Sequence, residues 1–234
     1  MKKILTTAIL CAGLVGFTAC DSFLDEDPKS SLTLDTYYKT SADIIGNVNY
    51  LYRDGAPDKM GNMTGAYRGS SLSVMNMVTG YFVNEYEGQE VDCSYARQLT
   101  RQDFTQSCCN YLTNDTWKSC YKSINVANAV IKYVDGVEMD NQAQYKAEAR
   151  FFRALNYFYL VKMFGDVPMV TEPTEDATLV EYPTRTAASE VFNTVIIPDL
   201  QFAVENLPNA TFAGNSHRVT KYAADMLLAD VYMR

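Results

Sequence analysis

The segment from Asn141 to Phe164 carries two apolar stripes at helical spacing, and it constrains the fold more than any other part of the chain. The first stripe is Ala147, Phe151, Ala154, Phe158 and Val161, and the second is Phe152, Leu155 and Tyr159. Each spacing places its side chains along one side of an α-helix. The pattern therefore predicts a helix that is buried on two sides. Gly165 and Pro168 supply its stop signal.

Three charged residues interrupt the apolar pattern of this segment. They are Glu148, Arg150 and Arg153. Because charged side chains are rarely buried without a partner, we expect them on the remaining helix surface. There the two arginines would pair with acids such as Glu148.

Three further apolar patterns precede the central segment and also have helical spacing. The first follows a possible cap at Ser41–Asp43, and Gly55–Pro57 ends it; its members are Ile44, Val48 and Leu51. The second comprises Leu72, Met75, Val78 and Phe82. The third ends at Asp135–Gly136 and comprises Trp117, Tyr121, Ile124, Ile131 and Val134. All three patterns predict helices with one buried face.

Two more helices are predicted after the central segment. The first begins with a cap at Thr184 or Thr186, is divided by Pro198, and turns Val191, Val195 and Leu200 inward. The second begins with a cap at Thr220 or Ser216, and its inward residues are Ala223, Leu227 and Val231. The sequence thus predicts an all-α fold with two antiparallel helix pairs, as in a tetratricopeptide-like array with long irregular loops. A plain helical bundle is the alternative.

The last predicted helix runs to Arg234 without a glycine, a proline or a polar tail. A helical array needs a polar element over its open end. We therefore expect either that the chain is truncated or that a partner covers this face.

The first twenty residues have the organisation of a bacterial lipoprotein signal. A basic start precedes an apolar stretch from Ile4 to Phe17, which is too short to span a bilayer of about 30 Å. The stretch ends in small residues before Cys20. Residues 1–19 are thus expected to be removed and Cys20 to be acylated, which would anchor the chain by lipid. An ordinary signal peptide followed by an unmodified cysteine is the alternative.

Composition excludes several classes of function. The net charge is −8, which opposes nucleic-acid binding, and the single histidine, His217, leaves no multi-histidine metal site. Four cysteines follow Cys20: Cys93, Cys108, Cys109 and Cys120. They are compatible with free thiols, with one disulfide or, least well, with a metal site, and no spacing decides between these. No cofactor-binding motif is present.

Four stretches together resemble the SusD/RagB family of nutrient-binding outer-membrane lipoproteins of Bacteroidetes. They are Cys20–Pro28, Trp117–Asn128, Ala147–Pro168 and Arg218–Ala229. The resemblance implies that residues 20–234 are the N-terminal part of a longer SusD-like protein. In this division, residues 21–113 hold a leader, two helices and a loop excursion, and residues 114–234 hold two tetratricopeptide-like helix pairs.

The same resemblance implies a function and a partner. The protein would lie at the cell surface, bind oligosaccharides or, in some branches, peptides, and deliver them to a TonB-dependent transporter of the SusC/RagA type. It implies no enzymatic activity. A helical adaptor that binds only proteins is the alternative, and a lipid-anchored hydrolase is supported only by location and acid content.

Candidate ligand-binding residues lie in the aperiodic excursion after residue 83. Sugar binding uses aromatic faces together with amide, carboxylate and guanidinium groups. On this basis Tyr86, Tyr95 and Arg97 are the candidates, and Cys20 is the lipidation site. The excursion lacks the tryptophans that starch-binding members use for stacking, since the only one, Trp117, belongs to a predicted helix.

Overall fold

The computed structural model of the protein describes residues 33–52, 79–81, 101–102, 115–175 and 183–234. Their α-helices are α1 (Leu34–Tyr37), α2 (Ser41–Tyr50), α3 (Asp115–Tyr133), α4 (Gln142–Phe164), α5 (Ala188–Val191), α6 (Ile197–Asn206) and α7 (Lys221–Tyr232). These helices belong to one compact unit, Leu34–Arg234. Among the described residues, extended pairing is limited to a single antiparallel bridge between Val167 and Thr186.

Helix α4 is the central element, and it packs on α3 along one side and on α6 along another. The α3–α4 pair is antiparallel, since Trp117 contacts Phe164 at one end and Gln142 bonds the Val134 carbonyl at the other. Both predicted apolar stripes of α4 contribute buried side chains, Phe151 and Phe152 among them. The predicted helix with two buried sides is therefore confirmed, as is its stop at Gly165, where φ is +68°.

The expected surface position of the charged residues on α4 is wrong for two of them. Glu148 is fully buried and Arg153 is 8% exposed, whereas Arg150 is half-buried. Neither arginine pairs with Glu148. Each buried charge instead meets a counter-charge from a later segment, Arg218 for Glu148 and Asp199 for Arg153. A helix enclosed by several neighbours has no free surface on which such pairs could form locally.

The N-cap of helix α2 lies one residue before the predicted cap at Ser41–Asp43. Thr40 is the N-cap, and its hydroxyl accepts the Asp43 amide N–H while the Asp43 carboxylate accepts the Thr40 amide N–H at 2.8 Å. This reciprocal arrangement is a capping box, which satisfies two donors left free at a helix start. The predicted inward residues Ile44, Val48 and Leu51 are all buried.

Removing the Thr40 hydroxyl is expected to raise the pKa of Asp43. The hydrogen bond from that hydroxyl, followed by the one from the Thr40 amide, holds the pKa of Asp43 below its usual value. A lowered pKa in the folded state stabilises the protein above the unfolded pKa, and this contribution is lost as the pH falls through the folded pKa. An NMR pH titration of Thr40→Val should show the shift, and Thr174→Val is the control. An unchanged Asp43 pKa would contradict the capping geometry.

The second helix pair differs from the prediction in how it begins. Neither Thr184 nor Thr186 caps α5; its first amide, of Ala188, donates to the Asp166 carboxylate at 2.9 Å. The cap thus comes from 22 residues earlier in the chain.

The division predicted at Pro198 takes the form of a π turn. This turn, Phe192–Ile196, lies between α5 and α6, and the Ile197 amide donates to the carbonyl of Phe192. The wider turn accommodates the proline ring, which would clash with the carbonyl four residues earlier in a regular helix. The predicted inward residues Val191, Val195 and Leu200 are buried.

Helix α7 buries one side and exposes another. Thr220 is its N-cap residue, although the Thr220 side chain makes no capping hydrogen bond. Of the predicted inward residues, Val231 is buried and Ala223 and Leu227 are half-buried, and Ala224 is buried as well. Tyr222, Met226 and Met233 are 54%, 76% and 79% exposed. In the described ranges, no helix is both long and apolar enough to cross a bilayer.

Cys120 is a buried free thiol on α3, and burial raises its pKa to about 12. Such a thiol is largely protonated at neutral pH and hence a poor nucleophile or metal ligand. Cys93, Cys108 and Cys109 lie outside the described residues, so their pairing stays open. The part of the chain that the structure describes holds no group of three or more His, Cys, Asp or Glu side chains able to bind a metal.

Candidate functional site

The residues predicted from sequence for ligand binding and lipidation, Tyr86, Tyr95, Arg97 and Cys20, lie outside the described residues. The nearest described position before the excursion is Tyr81, whose side chain is 89% exposed. It follows Gly80, which has a φ of +77°. An aromatic ring therefore stands in solvent a few residues before the excursion in the sequence.

An extended segment after α4 is held by phenol groups from the α3–α4 pair. The Tyr121 hydroxyl donates to the Pro168 carbonyl at 2.7 Å. The Tyr157 hydroxyl donates to the Val170 carbonyl at 2.8 Å and accepts the Val170 amide at 2.7 Å. One buried phenol thus satisfies both backbone groups of a residue that belongs to no strand or helix.

Two asparagines of α3 continue this attachment. Asn128 donates to the carbonyls of Val170 and Glu172 at 3.0 and 3.2 Å, and Asn125 accepts the Thr174 amide at 2.7 Å. Sequence reasoning did not assign them a role, although their three-residue separation on an apolar helix is a usable signal. The segment from Pro168 to Thr174 is therefore fixed to the helical layer at several points.

A buried ion pair joins α4 to α6. Arg153 donates to both Asp199 oxygens, at 2.6 and 2.8 Å, and to the Asn128 side-chain carbonyl at 2.9 Å. Arg150 lies 3.7 Å from Asp199 and packs over the Phe202 ring. Burial raises the pKa of Asp199, although the hydrogen bonds and charge of Arg153 oppose this effect. The pair links both helices to the asparagine that holds the extended segment.

A second ion pair joins α4 to the segment before α7. The Arg218 Nη2 atom donates to the Glu148 carboxylate at 2.6 Å, and the Arg218 Nη1 atom donates to the side-chain carbonyl of Asn49 on α2 at 2.8 Å. Tyr52 and Gln144 also donate to Glu148, at 2.9 and 3.1 Å. The carboxylate therefore receives hydrogen bonds from three separate parts of the chain.

The surroundings of Arg218 are aromatic as well as acidic. Its guanidinium lies 4.8 Å from the Tyr52 ring centre and 5.3 Å from that of Tyr145. Although burial opposes it, the hydrogen bonds and charge of Glu148 raise the pKa of Arg218. Burial, followed by the charge of Glu148, raises the pKa of Tyr52. Arg218 therefore stays charged and Tyr52 stays neutral near neutral pH, so these two groups are suited to holding structure rather than to moving protons.

One cleft of about 710 Å³ opens beside this cluster, between the start of α2 and the turn that joins α3 to α4. Its lining residues are Ser41, Ile45, Glu138, Met139, Asp140, Asn141 and Tyr145. None of them was a candidate from sequence. Their two groups lie about a hundred positions apart in the chain, and no motif connects them.

Comparisons with known proteins agree with the helical arrangement. A SusD-like family model, described as starch-binding and associating with the outer membrane, matches residues 22–233. SusD-like protein P2 of Formosa agariphila is 29% identical over 236 residues, which cover all of this chain and 43% of that protein. The chain thus spans about two fifths of the length of the curated relatives it matches.

Solved structures share the same architecture. A SusD superfamily protein from Parabacteroides distasonis aligns with a TM-score of 0.63 at 25% identity, and the alignment covers 81% of this chain and 38% of that protein. A laminarin-binding SusD-like protein aligns with a TM-score of 0.67 at 24% identity, and the alignment covers 84% of this chain and 40% of that protein. The chain belongs to the SusD-like family, because the family model matches nearly the whole chain and the chain shares its fold with these structures.

Proposed function

We propose that this chain is part of a lipid-anchored protein of the outer membrane that binds oligosaccharides and passes them to a SusC-like TonB-dependent transporter. The observation that carries the proposal is the family match over residues 22–233, because that family is described as starch-binding and outer-membrane-associated. The role is binding and delivery, without catalysis.

Two further observations support this role. A neighbour of the same fold is a laminarin-binding SusD-like protein. The exposed Tyr81 ring lies a few positions before the excursion that carries Tyr86, Tyr95 and Arg97. Exposed tyrosines offer an apolar face to the C–H surface of a sugar ring and a hydroxyl to its edge. We propose that these three excursion residues contact the sugar and that Cys20 carries the lipid.

Titration calorimetry of the full chain in detergent, with laminarihexaose and maltoheptaose as probes, tests the binding. A triple variant with alanine at Tyr86, Tyr95 and Arg97 is expected to lose at least tenfold in affinity at the excursion. Phe212→Ala removes an exposed aromatic ring elsewhere and should bind as the unaltered chain does. Absence of heat with every sugar would overturn the proposed function.

Anchoring and delivery need separate measurements. Cys20→Ala is expected to release the protein from the membrane fraction and to abolish labelling by a radioactive fatty acid. Mild solubilisation of the native protein should also recover a large transporter barrel. Retention of Cys20→Ala in the membrane, or repeated purification without a barrel, would contradict the corresponding part of the proposal.

A protein-binding adaptor is the second candidate, and the exposed apolar side chains of α7 favour it. Tyr222, Met226 and Met233 lie on one side of this helix. An adaptor would show no heat with any sugar, whereas its binding to a protein partner would weaken in Met226→Glu.

A further inference from the structure

The cleft between α2 and the α3–α4 turn has the size and chemistry of a binding site. Its volume of about 710 Å³ falls within the range of small-molecule pockets, roughly 300–1,000 Å³. Its described lining comes from α2, the α3–α4 turn and the start of α4, and it includes none of the excursion residues proposed above as sugar contacts.

The polar side chains of this cleft are available to a ligand. Those of Ser41, Glu138, Asp140 and Asn141 have no hydrogen bond or ion pair with any residue that the structure describes. The neighbouring carboxylate of Asp135, by contrast, pairs with Lys146. The cleft therefore combines hydroxyl, amide and carboxylate groups that have no partner among the described residues.

Tyr145 gives the cleft an aromatic wall that is fixed in place. Its ring lies against the Arg218 guanidinium, which the buried Glu148 carboxylate and Asn49 hold. A ring supported in this way loses little conformational freedom when a ligand stacks on it. The buried ion pair thus has a consequence at the surface, since it positions a side chain of the cleft.

The composition of the cleft selects among ligand classes. Among the described residues, its lining includes no Lys or Arg that would neutralise a phosphate, sulfate or uronic acid. The described residues also lack a group of three metal-binding side chains. An aromatic ring, the apolar Ile45 and Met139, and several hydroxyl-bonding groups together match a neutral sugar, which has apolar C–H faces and a hydroxyl edge.

We propose that this cleft is a second saccharide subsite, on the helical layer, which takes one or two units of a neutral oligosaccharide. The Tyr145 ring stacks on the sugar, while Glu138, Asp140 and Asn141 bond its hydroxyls. The inference rests on the proposed function, because it assigns another contact surface to the same class of ligand.

The test is a calorimetric and saturation-transfer NMR titration of the full chain in detergent with laminarihexaose and maltoheptaose. Two cleft variants are compared, Tyr145→Ala and the exposed pair Glu138→Gln with Asp140→Asn. Tyr145→Ala is expected to weaken sugar binding at the cleft at least tenfold, and the double carboxylate variant is expected to weaken it at least fivefold. The triple excursion variant is expected to retain the cleft signal. Phe212→Ala is the matched control for loss of an aromatic ring.

The outcomes separate this inference from the proposed function. If the unaltered chain binds sugar and both cleft variants bind equally well, the subsite is overturned while the proposed function stands. If no sugar binds to the unaltered chain, both fall. The exposed position of Glu138 and Asp140 keeps the test valid if Tyr145→Ala fails to fold. A basic peptide, tetralysine, is titrated in parallel. If the variant Glu138→Gln with Asp140→Asn weakens the binding of tetralysine but not the binding of sugar, the subsite is also overturned.

Discussion

Arg218→Ala is expected to lower the free energy of unfolding by about 3–5 kcal/mol, the cost typical of breaking a buried ion pair. Glu148 is fully buried, and Arg218 is the cationic partner found for it among the described residues. Without the guanidinium, the carboxylate would keep only the neutral donors Tyr52 and Gln144. Urea unfolding followed by circular dichroism measures the change.

Arg234→Ala is the matched control for this prediction. It removes an exposed arginine that pairs with the half-buried Asp230 at the surface, and such surface pairs contribute only about 0–1 kcal/mol. A double variant, Glu148→Gln with Arg218→Met, should recover part of the lost stability because no unpaired charge remains. Equal unfolding midpoints for Arg218→Ala and Arg234→Ala would contradict the importance of the buried pair.

Asp199→Ala is expected to cost a similar amount, about 3–5 kcal/mol, for the opposite reason. Here the group left without a counter-charge is the cation of Arg153, whose side chain is only 10% exposed. Arg150, 3.7 Å from Asp199, would then face a like charge with no acid between them. Loss of this link should also loosen Asn128 and the extended segment it holds.

Thermal and urea unfolding test this second effect, and hydrogen exchange at the Val170 amide reports on the extended segment. Asp135→Ala is the control, because it removes a carboxylate from an exposed pair with Lys146. A loss of stability no greater than that of the control would contradict the prediction. Unchanged exchange at Val170 would show that the segment does not depend on the Arg153–Asp199 pair.

The sequence was informative wherever a signal was local. The stripes of α4, the inward residues of α2 and the stop at Gly165 depend on spacings of three or four residues, and all are confirmed. Helix periodicity and chain-breaking glycines act over one or two turns, so a single sequence displays them directly.

Partners distant in sequence could not be predicted in the same way. Glu148 meets Arg218 across 70 positions, and Arg153 meets Asp199 across 46. Nothing near Glu148 or Arg153 in the sequence indicates those partners, so the sequence predicts a surface position for both charges. The cap of α5 was missed for the same reason, since Asp166 supplies it from outside the local sequence.

The candidate sites also differ in whether a single sequence can indicate them. Tyr86, Tyr95 and Arg97 were chosen by residue type within an aperiodic excursion, and they stay predictions. The sequence does not indicate the cleft because Ser41 and Tyr145 line one cavity only when α2 packs against α4. Residue type can suggest a sugar contact, but only packing can bring two such segments together.

The π turn between α5 and α6 contains one residue more than a regular helical turn. Because the wider turn absorbs this residue, the side chains beyond it keep the directions that they would have in an unbroken helix. Deleting the exposed Asn193 would therefore leave Asp199 facing Arg153, and the cost would come from Pro198, whose ring would meet the carbonyl four residues earlier in the closed turn. In a regular stretch of helix, a deletion instead rotates everything beyond it by about 100°, one residue's share of a turn. A descendant could thus change its length at this turn and keep the α4–α6 salt bridge, whereas a deletion in α6 before Asp199 would turn the ion pair apart.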